Sequence, residues 1–160
     1  SLGLDPLCVY RKSNNKFVEH LIQNIREKNA TYAPKGDIGA KKSYLWLRKG
    51  KSLALLMDQK LNEGLSIDFL GKPANTASFI ADIAIRMNLD IVPIKFSRDI
   101  NNHNIITFYK KINMPKNNLS KNKRISLILK QVNDVMSQWI KDQPENWLWI
   151  HRRWQKDLYV

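Results

Sequence analysis

Ser52-Leu53-Ala54-Leu55-Leu56-Met57-Asp58-Gln59 is the stretch from which the rest of the chain can be ordered. A short, continuous apolar run of this kind predicts a strand buried on both faces, at the centre of an open parallel sheet. It stops abruptly at a carboxylate. Ligands of such sheets gather beyond the carboxyl ends of the strands, so Asp58 and Gln59 are the first candidates for chemistry. A carboxylate that ends an apolar strand is poorly solvated and must find a cation, a hydrogen-bond donor or water. The alternative reading of Asp58 is a helix cap or a turn-former.

Upstream, Gly50 is placed to end a helix over 37–49 in the left-handed conformation that glycine tolerates. Before it lies a break around Pro34 and Gly36. From Asn15 to Lys28, Phe17, Val18, Leu21, Ile22 and Ile25 share one helical face, with Ser13 or Asn14 as the expected cap. Leu7 to Tyr10 reads as a short strand. Arg11 follows that strand, and Asn15 lies one turn further on. Together they can hold a phosphate or carboxyl oxygen by a planar fork and an amide, or they are a solvated arginine beside a capping asparagine.

Downstream, Lys60 to Lys72 reads as a loop with an alternating patch at Ile67 and Phe69. Asn75 or Thr76 is the expected cap of a helix carrying Phe79, Ile80, Ile83, Ala84 and Met87, closed by Asn88. Ile91 to Phe96 predicts a strand at an edge or a bulge, because Pro93 removes a ladder donor. A turn at Asn101 to Asn104 brings Ile105 to Ile112 back as a hairpin. Ser120 opens the longest amphipathic helix, with Ile125, Ile128, Leu129, Val132, Val135, Met136, Trp139 and Ile140 on its buried stripe. No repeat or linker divides the pattern, which predicts one α/β domain over 1–160.

The chain has 160 residues with 27 Lys and Arg against 14 Asp and Glu, a formal charge of +13. Such a balance points to an anionic partner: nucleic acid, phosphorylated lipid, a membrane surface or an acidic carrier protein. No apolar run approaches the ~18–20 residues of a spanning helix. Cys8 is the one cysteine, which excludes an intrachain disulfide or a cysteine-based metal site and fits a reduced, cytosolic setting. There is no Walker A loop, no Gly-x-Gly-x-x-Gly, no His-Glu-x-x-His and no Gly-x-Ser-x-Gly. His20, His103 and His151 show no metal-ligand spacing.

The tail from Pro144 to Trp154 is unusual. Trp147, Trp149 and Trp154 alternate with apolar residues and with His151-Arg152-Arg153. This mixture suits a cleft apolar on one side and anionic on the other, or a core strand with a solvated basic end, or base stacking with phosphate contact.

In order, the chain carries Val9-Tyr10-Arg11-x-x-x-Asn15, Gly39-Ala40, Gly50, Leu55-Leu56-Met57-Asp58-Gln59, Phe69-x-Gly71-x-Pro73-Ala74-x-Thr76, Val92-Pro93 and Pro144-Glu145-x-Trp147-x-Trp149-x-His151-Arg152-Arg153-Trp154. This series resembles the late acyltransferases of bacterial lipid A synthesis, the lauroyl and myristoyl transferases of the lysophospholipid acyltransferase superfamily. The resemblance implies an acyltransferase fold of the glycerol-phosphate-acyltransferase kind: a mixed, mostly parallel sheet flanked by helices, here incomplete at the N-terminus. It implies transfer of a fatty acyl group from an acyl carrier protein thioester, or acyl-CoA, to a hydroxyl of a phosphorylated glycolipid. It further implies a place at the cytoplasmic face of the bacterial inner membrane, an anionic membrane surface as partner, no nucleic-acid partner, and neither metal nor cofactor.

The catalytic signature of these enzymes is His, four residues, then Asp or Glu, the His serving as general base on the acceptor hydroxyl. Five positions after His20, His103 and His151 stand Ile25, Phe108 and Lys156, so no such dyad occurs in the chain. The expectation is therefore a C-terminal portion without membrane anchor or base, and inactive alone. Carried over by position, Asp58 supports catalysis and Gln59 orders the site. Arg11 and Asn15 meet the acceptor or carrier phosphate, and His151, Arg152 and Arg153 contribute to substrate binding. Two readings from other classes stand beside this one: a non-catalytic remnant that binds anionic lipid, and a basic nucleic-acid-binding domain.

Overall fold

Leu7 and Ala33, both fully buried, mark the sheet of the first part of the chain. The computed structural model describes residues 5–26, 30–59, 61–149 and 151–159. The chain forms two compact units, residues 1–56 and 57–160.

In the first unit, β1 (Pro6–Tyr10) lies between β2 (Thr31–Pro34) and β3 (Ser52–Ala54). Both pairings are parallel, with Cys8 opposite Tyr32 on one side and Ala54 on the other. The expected central strand over 52–57 is thus corrected to a three-residue edge strand. Ser52 is exposed while Leu53 and Ala54 are only half-buried, and β1 takes the centre. The run leaves the ladder because Met57 packs instead against the apolar core of the second unit. β2 occupies what reads in the sequence as a break.

The helix α1 (Lys16–Arg26) follows β1, and Asn15 caps it: its Oδ1 accepts from the amides of Phe17 and Val18 at 2.9 and 3.3 Å. The expected continuation to Lys28 lies outside the described residues. The apolar stripe forms as expected, but it does not face a core. The polar side packs inward: Tyr10 Oη donates to Glu19 at 2.7 Å, Gln23 donates to Tyr10 Oη at 3.0 Å, and the Arg26 guanidinium stands 5.0 Å from the Tyr10 ring. The Tyr10 hydroxyl and the Ser13 amide hold the Glu19 carboxyl below its usual value.

The second helix, α2 (Asp37–Arg48), begins with a close approach. A Cβ on Gly39 would fall 1.8 Å from the Pro34 carbonyl oxygen, so glycine lets the helix lie directly on the end of β2. Gly50 closes the helix at φ +72, with its amide donating to Leu47 at 2.9 Å.

The second unit opens with a hairpin, β4 (Leu65–Phe69) and β5 (Lys72–Thr76), where the sequence reads as loop and helix cap. Leu70 and Gly71 connect the strands at φ 56 and 80, the positive values that a two-residue turn requires to follow the strand twist. Asn75 and Thr76 therefore belong to β5. The residue preceding α3 (Phe79–Met87) is Ser78, and Asn88 ends the helix in the left-handed region at φ 51. The strand expected at Ile91 begins only after Pro93, as β6 (Ile94–Arg98), and pairs with β7 (Asn104–Phe108) in a two-stranded hairpin.

The longest helix, α4 (Lys121–Asp142), is capped by Ser120, whose hydroxyl accepts from the Lys123 amide. Ile125, Ile128, Leu129 and Val132 of its stripe join Ala81, Ala84, Ile91 and Ile112 in the core. Each large aliphatic side chain fully buried here contributes about 1.5–3 kcal/mol. A short 3₁₀ turn at Pro144–Asn146 leads into the tail. The α/β class read from the sequence stands, as one parallel three-stranded sheet with antiparallel hairpins and flanking helices.

Candidate functional site

Arg153 enters the second unit as a buried cation. It is 2% exposed, and a guanidinium so placed must spend its donors on the protein. Nη1 donates to the Asn75 carbonyl at 2.6 Å and Nη2 to the Thr76 hydroxyl at 3.2 Å, with the guanidinium 4.9 Å from the Phe69 ring centre. Burial pulls its pKa down from the usual value, and the negative charge of Asp58 opposes that fall. Asp58, in the turn after the apolar run, is half-buried and close enough for its charge to act on Arg153.

Thr76 Oγ1 is the hub. It donates to the Ala74 carbonyl and accepts from both Arg153 and Asn133 Nδ2, the latter at 3.1 Å. Asn133 Nδ2 also donates to the Asp68 carbonyl at 2.9 Å, and the Ser137 hydroxyl accepts the Leu70 amide at 3.0 Å. One face of α4 thereby grips both strands of the β4–β5 hairpin. Phe69, Trp147, Trp149, Trp154 and Tyr159 form an aromatic cluster beside it, and Trp154 Nε1 donates to the Phe69 carbonyl at 3.0 Å.

The sequence reading missed Asn133 and Ser137, although a signal existed: both fall on the stripe of α4 that is otherwise apolar, and both are buried. In the sequence Thr76 reads as a motif residue and a cap; in the structure it is the acceptor that joins three segments.

The other candidates are distributed as follows. Gln59, His151 and Arg152 are exposed in the second unit, with the Arg152 guanidinium 5.6 Å from the Tyr159 ring. Arg11 is exposed in the first unit, and Asn15 has its side-chain oxygen engaged in capping α1. His20 contacts Asn24, and His103 lies 3.0 Å from Asp99 in the β6–β7 turn, where Asp99 also accepts the amides of Asn101 and His103. Ile150 of the tail lies outside the described residues. Beyond the carboxyl ends of β1 and β2 is a cavity of about 360 Å³, with Tyr10, Lys12, Gln23, Arg26, Tyr32 and Lys42 in its lining.

The family profile described as bacterial lipid A biosynthesis acyltransferase matches residues 6–156. The chain belongs to the bacterial lipid A biosynthesis acyltransferase family. Among curated proteins none matches it. Membership assigns it to acyl transfer in lipid A biosynthesis in general terms. The match takes in the Asp58 turn as well as the β4–β5 hairpin, α4 and the tail through Arg153, which the Thr76 hub joins. No described helix is long and apolar enough to cross a membrane.

Proposed function

We propose that the chain is the substrate-supporting part of an enzyme that moves a fatty acyl group from an acyl carrier protein thioester, or acyl-CoA, to a hydroxyl of a phosphorylated lipid A precursor. The family match over residues 6–156 carries this reading. In the reaction a general base takes the proton of the acceptor hydroxyl, and the oxygen attacks the thioester carbonyl. The tetrahedral adduct collapses, forming the new ester and expelling the carrier thiolate, which recovers the proton. No covalent enzyme intermediate, metal or cofactor enters this scheme.

No His-x-x-x-x-Asp/Glu dyad among residues 1–160 supplies the base, since none of the three histidines has an acid five positions on. We assign it to a His-x-x-x-x-Asp/Glu motif outside them. Asp58, whose charge acts on the buried Arg153, is the supporting carboxylate. Gln59, His151 and Arg152, all exposed in the second unit, are assigned to substrate binding, and Arg11 and Asn15 of the first unit to the acceptor or carrier phosphate. Arg153 acts from inside the fold, because two of its nitrogens are committed to Asn75 and Thr76. The setting is the cytoplasmic face of the bacterial inner membrane, where the excess of positive charge meets an acidic carrier protein and an anionic leaflet.

The test is an acyl-transfer assay with acyl carrier protein thioester and a tetra-acylated, phosphorylated glucosamine disaccharide, run on the 160-residue chain and on the same chain joined to a segment bearing the dyad. Turnover only by the longer protein is expected. Efficient turnover by the 160 residues alone would falsify the assignment of the base.

A further inference from the structure

α1 is docked the wrong way round for an ordinary surface helix. Its polar residues Glu19, Gln23 and Arg26 are turned onto the tyrosines of β1 and β2. Its apolar side looks outward, with Phe17 89%, Leu21 61% and Val18 43% exposed. A helix stabilised on its own sheet by hydrogen bonds has no need of an apolar stripe there, and leaving one in water is unfavourable.

Charge says what would cover it. The one acidic residue of α1, Glu19, is bound inward to Tyr10 and the Ser13 amide, whereas Arg11, Lys12 and Lys16 at the start of the helix are exposed. Residues 1–56 hold eleven Lys and Arg against four Asp and Glu. The outward side therefore combines an apolar stripe, flanked on one side by the exposed His20 and Asn24, with cations at the start of the helix, and the stripe itself offers no hydrogen-bonding side chain to orient a specific protein partner. An anionic bilayer needs none: an amphipathic helix lies in its interface, apolar face among the acyl chains and cations at the headgroups.

We infer that α1 is the surface by which the first unit lies on an anionic lipid bilayer, with Phe17, Val18 and Leu21 inserted below the headgroups. This deepens the membrane part of the function proposed above. It also places the cavity bordered by Lys12, Arg26 and Lys42 on the inner side of a membrane-bound helix, at headgroup level.

The experiment is co-sedimentation of the 160-residue chain with vesicles of mixed phosphatidylethanolamine and phosphatidylglycerol, compared with phosphatidylcholine alone. The double variant Phe17→Ser, Leu21→Ser is set against Ile100→Ser, which alters a fully exposed apolar residue in the β6–β7 turn. Circular dichroism and melting follow each variant. The expected result is binding to the anionic vesicles, weakened roughly ten-fold or more by the double variant because two large side chains no longer enter the apolar phase. Ile100→Ser is expected to bind as the parent does, and all three proteins to melt alike. Equal binding by the double variant would overturn the role of α1 and leave the membrane reading intact. Binding to neither vesicle would remove both, while the transfer assay still judges the enzyme. Loss of acyl carrier protein binding, with vesicle binding kept, would reassign the stripe to a protein partner.

Discussion

Arg153 donates to the Thr76 hydroxyl across 77 residues of sequence, at 3.2 Å and in a buried setting. That oxygen also accepts from Asn133, so a single atom joins the hairpin, the long helix and the tail. Removing it leaves two buried donors without an acceptor, which costs more than the hydrogen bonds themselves contribute.

Thr76→Val keeps the shape and deletes the hub. It is expected to lower stability by roughly 1–3 kcal/mol, read as a shift of the urea midpoint at unchanged slope. Combining it with Arg153→Met should give less than the sum of the two losses, since the second change removes one of the stranded donors. Strict additivity would contradict the shared-acceptor account.

The Asp58 carboxylate is expected to matter for rate and little for folding. In the dyad-bearing protein, Asp58→Ala should reduce acyl transfer roughly ten-fold or more, with a melting temperature close to the parent's. Arg11→Ala, at an exposed position, should also lower the rate and raise the KM for the phosphorylated acceptor. Unchanged kinetics in either variant would withdraw that role.

Acid sensitivity should trace in part to Asp82. Burial pushes its carboxyl up, but the bonds from Lys121 and from Arg86 at 2.6 Å outweigh that and leave it below the usual value. The folded state therefore resists protonation more than the unfolded chain does. The resulting stabilisation is present above about pH 4, the unfolded value, and is lost as pH falls through the folded one. Asp82→Asn should be less stable than the parent at neutral pH by up to about 1 kcal/mol and should converge with it in acid. A constant gap across that range would exclude this linkage.

Gly39→Ala should be among the most damaging small changes in the first unit. With its Cβ directed 1.8 Å from a backbone oxygen, α2 has to lift off β2, a cost of roughly 1–3 kcal/mol. Gly50→Ala, with open space around its Cβ but a φ of +72, should cost only about 1 kcal/mol. Thermal melts of the two variants compare steric contact with backbone strain directly.

Where local pattern and tertiary packing agree, the sequence could be read closely. The stripe and the Ser120 cap locate α4, Gly50 and Asn88 mark the ends of α2 and α3, and the turn residues Asn101 to Asn104 foretell the β6–β7 hairpin. The reading failed where one residue serves two masters. Thr76 has the chemistry of a cap, but its hydroxyl is claimed by Asn133 and Arg153, so it stays in β5. Leu53 to Met57 is uniformly apolar because its first residues join a ladder and its last joins a separate core. Periodicity cannot distinguish those two uses. For α1 it found the stripe and not its direction, because an outward apolar face has the same spacing as an inward one. As a candidate, Asp58 was legible from its position after the run. Asn133 was not, since its meaning depends on partners 57 and 65 residues away.

The distance between Phe69 and the tail has a consequence during synthesis. Trp154 reaches the Phe69 carbonyl from 85 residues downstream, and at usual elongation rates those residues take roughly 4–17 s to add. For that interval the growing chain carries the β4–β5 hairpin with its aromatic partners not yet made. The order of translation thus creates a window for chaperone capture that closes only when Trp154 has left the ribosome.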